Sequence, residues 1–341
     1  MILLSLALVA NTNVTFQVAA QSLQVNKALA YLRSVYDQTV GLMSEQPYGD
    51  ENGTKLFWLN DNIFVYAALK ANGTQADRAQ ADNIRERIIS YAKTLNLPIY
   101  SDGFPKLGIH EVILGYPISL PMQCFSSHVL TEPGYKLGFV IANGTPGREC
   151  IVEDFNGFAD MILYQSLAEL YAGNLNQSIS RFREVVAMWD EHGIADSPYT
   201  NPDDPQYLRY ATYKLALLLY VAQKLNETAK LSIWNQTVDT IWHMQAYNGG
   251  IITNYMDSQL PIGVVNAETT ALVVLANPRI RENEHMPPTR SELPYLQILV
   301  ALVLVVIALN ATILIRLLRR QTVSRINDNE AQTARASSRF V

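Results

Sequence analysis

Cysteine is scarce in this sequence: Cys124 and Cys150 stand alone among 341 residues. Two thiols cannot build a four-ligand zinc site. The five histidines (His110, His128, His192, His243 and His285) show no His-x-x-x-His spacing that would supply the rest, so zinc is not expected. Calcium held by Asp and backbone oxygens stays open. There is no Gly-x-x-x-x-Gly-Lys loop, no Gly-x-Gly-x-x-Gly and no Gly-x-Ser-x-Gly, so nucleotide binding and α/β-hydrolase chemistry have no support and no cofactor is implied. Basic charge is also short, at a net −5. What there is gathers at one end: residues 316–341 hold six Arg against Asp328 and Glu330, and residues 1–20 hold no charge, which leaves −9 for the segment between them. That acidic balance argues against nucleic acid as a partner.

Two stretches lack charge altogether. Residues 1–20 contain the apolar run Ile2 to Ala10 and then Val18-Ala19-Ala20, a small-residue cleavage pattern, and read as a secretory signal without a basic start. Tyr295 to Ile315 is rich in Leu, Val and Ile. At about 1.5 Å per residue it is long enough to cross a bilayer core of roughly 30 Å. Arg316, Arg319, Arg320 and Arg325 follow at once, which places a tail over 316–341 in the cytoplasm and the bulk of the chain outside the cell membrane. The expected plan is therefore a signal over 1–20, an ectodomain over 21–280, a stalk over 281–294 around Pro287-Pro288, and one transmembrane helix over 295–315. An external location fits six Asn-x-Ser/Thr sequons, at Asn52, Asn72, Asn143, Asn176, Asn226 and Asn235, and a disulfide between Cys124 and Cys150.

Within 21–277 two kinds of helical pattern alternate. The first is amphipathic, with apolar residues three and four apart: Ser22 to Gln46, Gln75 to Leu95, Asn176 to Glu191 and Asn226 to Gln245. The second is apolar nearly all round: Phe64 to Leu69, Phe155 to Tyr171, Leu208 to Leu225 and Val265 to Ala276. These read as outer and inner helices of a unit of about 50–55 residues. Connections from outer to inner are long and those from inner to outer are short. All four long loops therefore gather at the end where the inner helices begin, and loops on a rigid scaffold commonly carry function. The long stretch 97–154 is rich in Pro and Gly with short β-type runs at Glu111 to Leu114, Ile118 to Leu120 and Leu137 to Ile141, and reads as a small β-rich cap.

This alternation resembles the α/α-toroid proteins: the six-hairpin glycosidases, some polysaccharide lyases, and the terpenoid-cyclase and prenyltransferase toroids. The residues behind the resemblance are Trp58-Leu59-Asn60-Asp61-Asn62, Tyr213-Lys214-Leu215-Ala216-Leu217, and Tyr247 to Ala276 with its Gly249-Gly250 turn before an inner helix. Archaeal secreted or membrane-anchored proteins of this build are the nearest in kind. The resemblance implies an all-α fold, an α/α toroid, here of about four helix pairs; the β-rich insertion and one C-terminal transmembrane helix are read from the residues themselves. Four pairs instead of six depart from the family pattern. There is no Asp-x-Asp-Asp cluster, and prenyltransferase zinc ligands cannot be placed, so no catalytic set carries over.

Candidate chemistry lies where carboxylates meet the starts of inner helices. Asp61, Asp160 and Glu268 are the candidate catalytic residues, each able to serve as an acid or base and each equally placed to complement a helix N-terminus. Lys214 is the one cation in its apolar helix and suits Asp160 as a partner. Trp58, Asn62, Tyr210, Thr253 and Tyr255 complete the expected substrate-binding set, with Trp58 and Tyr255 as stacking platforms. Two functions remain in view: a single-pass cell-surface glycoprotein whose ectodomain binds or scaffolds envelope glycan or a protein partner, and a glycoside hydrolase or polysaccharide lyase acting on extracellular polysaccharide. Two carboxyl groups facing one open cleft would favour the second.

Overall fold

The computed structural model describes residues 22–47, 49, 53–118, 125–142, 157–200 and 209–277. The expected signal peptide, the Cys124–Cys150 bridge, the sequons at Asn52 and Asn143, the stalk, the segment 295–315 and the basic tail all lie outside them. No helix of the described residues is long and apolar enough to cross a membrane.

The fold is mixed α/β, which corrects the all-α expectation: three small sheets stand among the helices. In chain order the elements are helix α1 over 22–34, strands β1 (Tyr36–Asp37), β2 (Leu42–Met43) and β3 (Lys55–Trp58), and helices α2 (Leu59–Asn72) and α3 (Gln75–Thr94). A 3-10 helix (His110–Leu114) and the hairpin β4 (Phe125–Glu132) and β5 (Tyr135–Ala142) come next. Helices α4 (Ala159–Tyr171), α5 (Leu175–Val186) and α6 (Ser197–Thr200) lead to β6 (Tyr210–Ala211), α7 (Thr212–Lys224) and α8 (Trp234–His243). Strands β7 (Ile251–Tyr255) and β8 (Pro261–Asn266) then run into α9 (Ala267–Leu275).

The alternation of helix types is present. Helices α2, α4, α7 and α9 are buried along nearly their whole length, whereas α3 and α5 bury only one face. Helix α2 packs on α9, α9 on α7 and α7 on α4, and the 3-10 helix packs on both α4 and α2. Three of the four inner helices are backed by an outer one: α2 by α3, α4 by α5, α7 by α8. At the periphery Arg33 of α1 forks onto Asp77, which also forms a capping box with Thr74 at the start of α3.

The strands all fall within the long connections, and this is where the sequence reading fails. The helix expected over Ser22 to Gln46 ends at residue 34, because Asp37 accepts from the amides of Thr39 and Val40 and turns the chain into β1 and β2. The Glu111 to Leu114 run is a 3-10 helix rather than a strand, since the Glu111 carboxylate accepts from the amides of Gly108 and Ile109 and winds that segment tight. The stretch before α9 is the antiparallel pair β7 and β8 rather than an irregular loop. The insertion does hold a hairpin, turning at Pro133-Gly134 with Gly134 at φ +88°. That hairpin is no separate cap: β5 runs parallel to β3, from Lys55 opposite Tyr135 to Trp58 opposite Gly138.

Three inner helices start directly from a strand: β3 runs into α2, β6 into α7 and β8 into α9. The residue before every inner helix is extended, at φ −94° for Trp58, −114° for Phe158, −92° for Ala211 and −135° for Asn266. An N-cap residue takes β-region angles while its carbonyl begins the helical ladder, so a strand can hand over to a helix without a linker.

A carboxylate cleft at the inner helix starts

Three inner helices carry a carboxylate in the first turn: Asp61 on α2, Asp160 on α4 and Glu268 on α9. On α7 the corresponding turn holds Tyr213 and Lys214 instead. One turn deeper, at the i+3 and i+4 positions that share a helix face, lie Phe64 beneath Asp61 and Tyr164 beneath Asp160. His110, the first residue of the 3-10 helix, joins them: its ring is 4.7 Å from that of Phe64 and 5.5 Å from that of Tyr164. The result is an acidic rim over an aromatic floor.

Asp61 and Glu268 keep some contact with solvent, yet protein surrounds both. That combination belongs to groups at the bottom of a cleft. Burial, then the charges of Glu268 and Glu45, pushes the Asp61 carboxyl well above the usual carboxylate range. Burial, then the charges of Asp160 and Glu45, raises Glu268 to about 7. The Tyr164 phenol is raised by burial and by the charges of Glu268, Asp160 and Asp61, so all three carboxylates bear on one hydroxyl. Burial lowers His110 to about 4, against the pull of Asp160, so its imidazole is neutral at ordinary pH.

Asp160 is anchored more firmly than the other two. Its Oδ2 accepts from the Tyr213 hydroxyl at 2.9 Å, and Lys214 Nζ stands 3.7 Å from Oδ1. The pairing expected between Asp160 and Lys214 is present, but the nearer partner of Lys214 is Asp196. Asp196 Oδ2 also accepts from the Ala159 amide at 3.0 Å, which supplies the helix start that Phe158, with no side-chain oxygen, cannot cap.

Glu45 reaches the cleft from the loop after β2. Its amide donates to Leu56 of β3, and its carbonyl accepts from Ala267, the first residue of α9. The Trp58 indole donates to Glu45 Oε2 at 3.2 Å, and its ring lies on Gly138 of β5 so closely that a Cβ there would meet it at 2.5 Å. Trp58 is half-buried beside the acidic rim, in position for the platform role expected of it.

The structure thus brings together Asp61, Asp160, Glu268, Trp58 and Lys214. It does not bring the remaining four. Asn62 is fully buried, and its amide binds the Met43 amide and carbonyl and the Trp58 carbonyl, so it holds β2 against α2 instead of facing a ligand. Tyr210 and Tyr255 are buried in one stack with Tyr199; their hydroxyls go to Asp190 and to the His192 carbonyl. Thr253 accepts from Val264 and Asn254, inside the β7–β8 pair. Sequence reasoning missed Glu45, His110, Tyr164, Tyr213 and Asp196. Only Tyr164 and Tyr213 carried a signal, as polar residues on the turn of an inner helix that holds a charged candidate.

No three acidic or imidazole groups among the described residues converge closely enough to hold a metal ion. The chain matches no protein-family model, no curated protein and no solved structure.

Proposed function

We propose that the domain is a carbohydrate-active enzyme that hydrolyses glycosidic bonds in an extracellular glycan. The observation that supports this most is the pairing of Glu268, held near neutrality and so able to give up a proton at physiological pH, with Asp160, anchored by Tyr213 and Lys214. In this reading Glu268 protonates the glycosidic oxygen as the bond from it to the anomeric carbon breaks. Asp160 stabilises the positive charge at that carbon and takes the proton of the water that adds there. The charges of Asp160 and Glu45 keep the field at Glu268 negative, and Trp58 offers a face to a sugar ring. The acidic rim disfavours a uronic-acid substrate, whose own carboxylate it would repel, so hydrolysis of a non-acidic glycan is preferred over lyase chemistry.

A second reading has its own support. Each carboxylate stands in the first turn of a helix, where the dipole alone favours it. On that reading the cleft binds envelope glycan or a partner without turnover. The two separate when the full chain is incubated with neutral and uronate polysaccharides and new reducing ends are measured. The enzyme reading expects cleavage of a neutral glycan, lost in Glu268→Gln and in Asp160→Asn. Binding without new reducing ends would leave the binding reading, and cleavage that survives Glu268→Gln would remove Glu268 from its role.

A further inference from the structure

The sheet of β3, β5 and β4 has a core face and an outer face. Leu137 and Phe139 of β5 are buried on the first. On the second, Ser127, Val129 and Thr131 of β4 are exposed at every other position. The register lays one row straight across that outer face: Trp58 of β3 stands opposite Gly138 of β5, and Gly138 opposite Val129. Residues paired across strands point to the same side, so the three share one surface. The middle position has no side chain. A glycine inside a strand marks a close approach of another group to the backbone, and here that group is the Trp58 ring. A Cβ on Gly138 would meet Trp58 Cε3 at 2.5 Å, Cζ3 at 2.7 Å and Cδ2 at 2.8 Å. The two neighbours of Cε3 are barely farther than Cε3 itself, which requires the ring to meet the strand face-on. One indole face therefore rests on β5, and the other is turned outward from the sheet. Val129, next in the row, is 50% exposed. The indole is held by its bond to Glu45 Oε2 at 3.2 Å, and the Glu45 carbonyl accepts from Ala267, the residue before Glu268. The row thus starts at the mouth of the cleft and runs away from it for two strand spacings, roughly 10 Å.

We propose that this row is a sugar-binding surface outside the cleft, on which a neutral oligosaccharide lies flat. One ring rests on the Trp58 indole above Gly138, and the next lies against Val129 with the Ser127 and Thr131 hydroxyls beside it. A pyranose ring has apolar C–H faces and a rim of hydroxyls. A flat aromatic face followed by a small apolar side chain, with hydroxyls on either side, complements both parts. None of the three residues in the row is charged, which suits a neutral sugar. The inference rests on the glycan reading above and deepens it: the substrate is a polymer held over several units beyond the bond that is cut, and not a single sugar or a disaccharide. The hairpin of β4 and β5 thereby becomes part of the binding site, through residues that no helix start supplies.

The test is affinity electrophoresis of the full chain in native gels that contain a soluble β-glucan, mannan or galactan, with new reducing ends measured on the same three glycans. At least one of them should retard the protein. Val129→Lys is the decisive variant. Val129 is exposed and β4 is the edge strand among the described residues, where lysine is well tolerated, so the fold should persist and thermal melting checks it. The substitution should weaken the apparent affinity about threefold to tenfold, the scale of a half-exposed apolar side chain's contact. Ser127→Glu, on the same face, takes its place should Val129→Lys melt at a lower temperature. Retardation that the hairpin variant leaves unchanged overturns the inference, even if Trp58→Phe weakens it, because the hairpin then takes no part; the glycosidase reading stands. No retardation, together with new reducing ends from one of the glycans, overturns the surface alone in the same way. Neither retardation nor cleavage overturns both.

Discussion

Glu268 shows how one side chain can tune stability and chemistry together. Its carboxyl, ordinarily near 4.5, is raised to about 7 by burial and by Asp160 and Glu45. Between those values the folded protein holds a proton that the unfolded chain has released. The stability tied to that proton is complete below the unfolded value and is lost as pH rises through the folded one, by roughly 1–3 kcal/mol. Thermal melting should therefore give a higher midpoint near pH 5 than near pH 8 for this group, and Glu268→Gln should flatten the slope. On the proposed glycosidase reading, the same substitution should lower glycan cleavage by about a hundredfold to ten-thousandfold, the usual share of a general acid. Lys214 makes the opposite point. It is 4% exposed, and losing Asp196 would leave it with the more distant Asp160 and leave the Ala159 amide without its acceptor. Asp196→Ala should cost about 3–5 kcal/mol in denaturant unfolding, whereas Asp196→Ala with Lys214→Met should recover much of that loss.

At the scale of elements, the mouth of α2 is set by β5. Gly138 gives the Trp58 ring room, and Gly138→Ala would drive a methyl group into it at 2.5 Å. The expected cost is about 1–3 kcal/mol with a shifted tryptophan emission and a raised KM, because the platform moves while Glu268 does not. Inner helices were readable from the amino acids because a helix that is apolar all round has one place to go. Their carboxylates were readable because a charge in the first turn of such a helix must face its mouth. Apart from the Leu137 to Ile141 run, which lies within β5, the strands were not. At two to eight residues they are too short for a period of two to stand out, and β6 and β8 end where a helix begins. Glu45, Asp196 and His110 reach the cleft from connecting segments by tertiary contacts, and no local pattern marks such residues. Asn62 and Tyr255 misled for the converse reason: a polar group near a mouth looks the same in sequence whether it faces a ligand or a neighbouring strand.

Over the whole molecule, exposure sorts the sequons. Asn176, Asn226 and Asn235 are exposed, and Asn226 sits at φ +56° just beyond α7. Asn72 is 5% exposed, and its Nδ2 donates to the Val274 carbonyl at 2.6 Å. A glycan there would break that bond and part α2 from α9. Glycopeptide mapping after expression in a glycosylating host should find the three exposed sites modified and Asn72 bare; a glycan on Asn72 would count against this packing. The same Asn72–Val274 contact joins positions 202 residues apart, and β3 waits for a partner about 80 residues downstream. Contacts of that span form late, because the chain must close a long loop before gaining from them. A ribosome that has finished α2 has made a helix whose partner α9 does not yet exist, and Asp61 has no Glu268 beside it until α9 emerges. The cleft thus comes into being near the end of the domain's synthesis, and a nascent chain stopped short of α9 lacks Glu268 altogether.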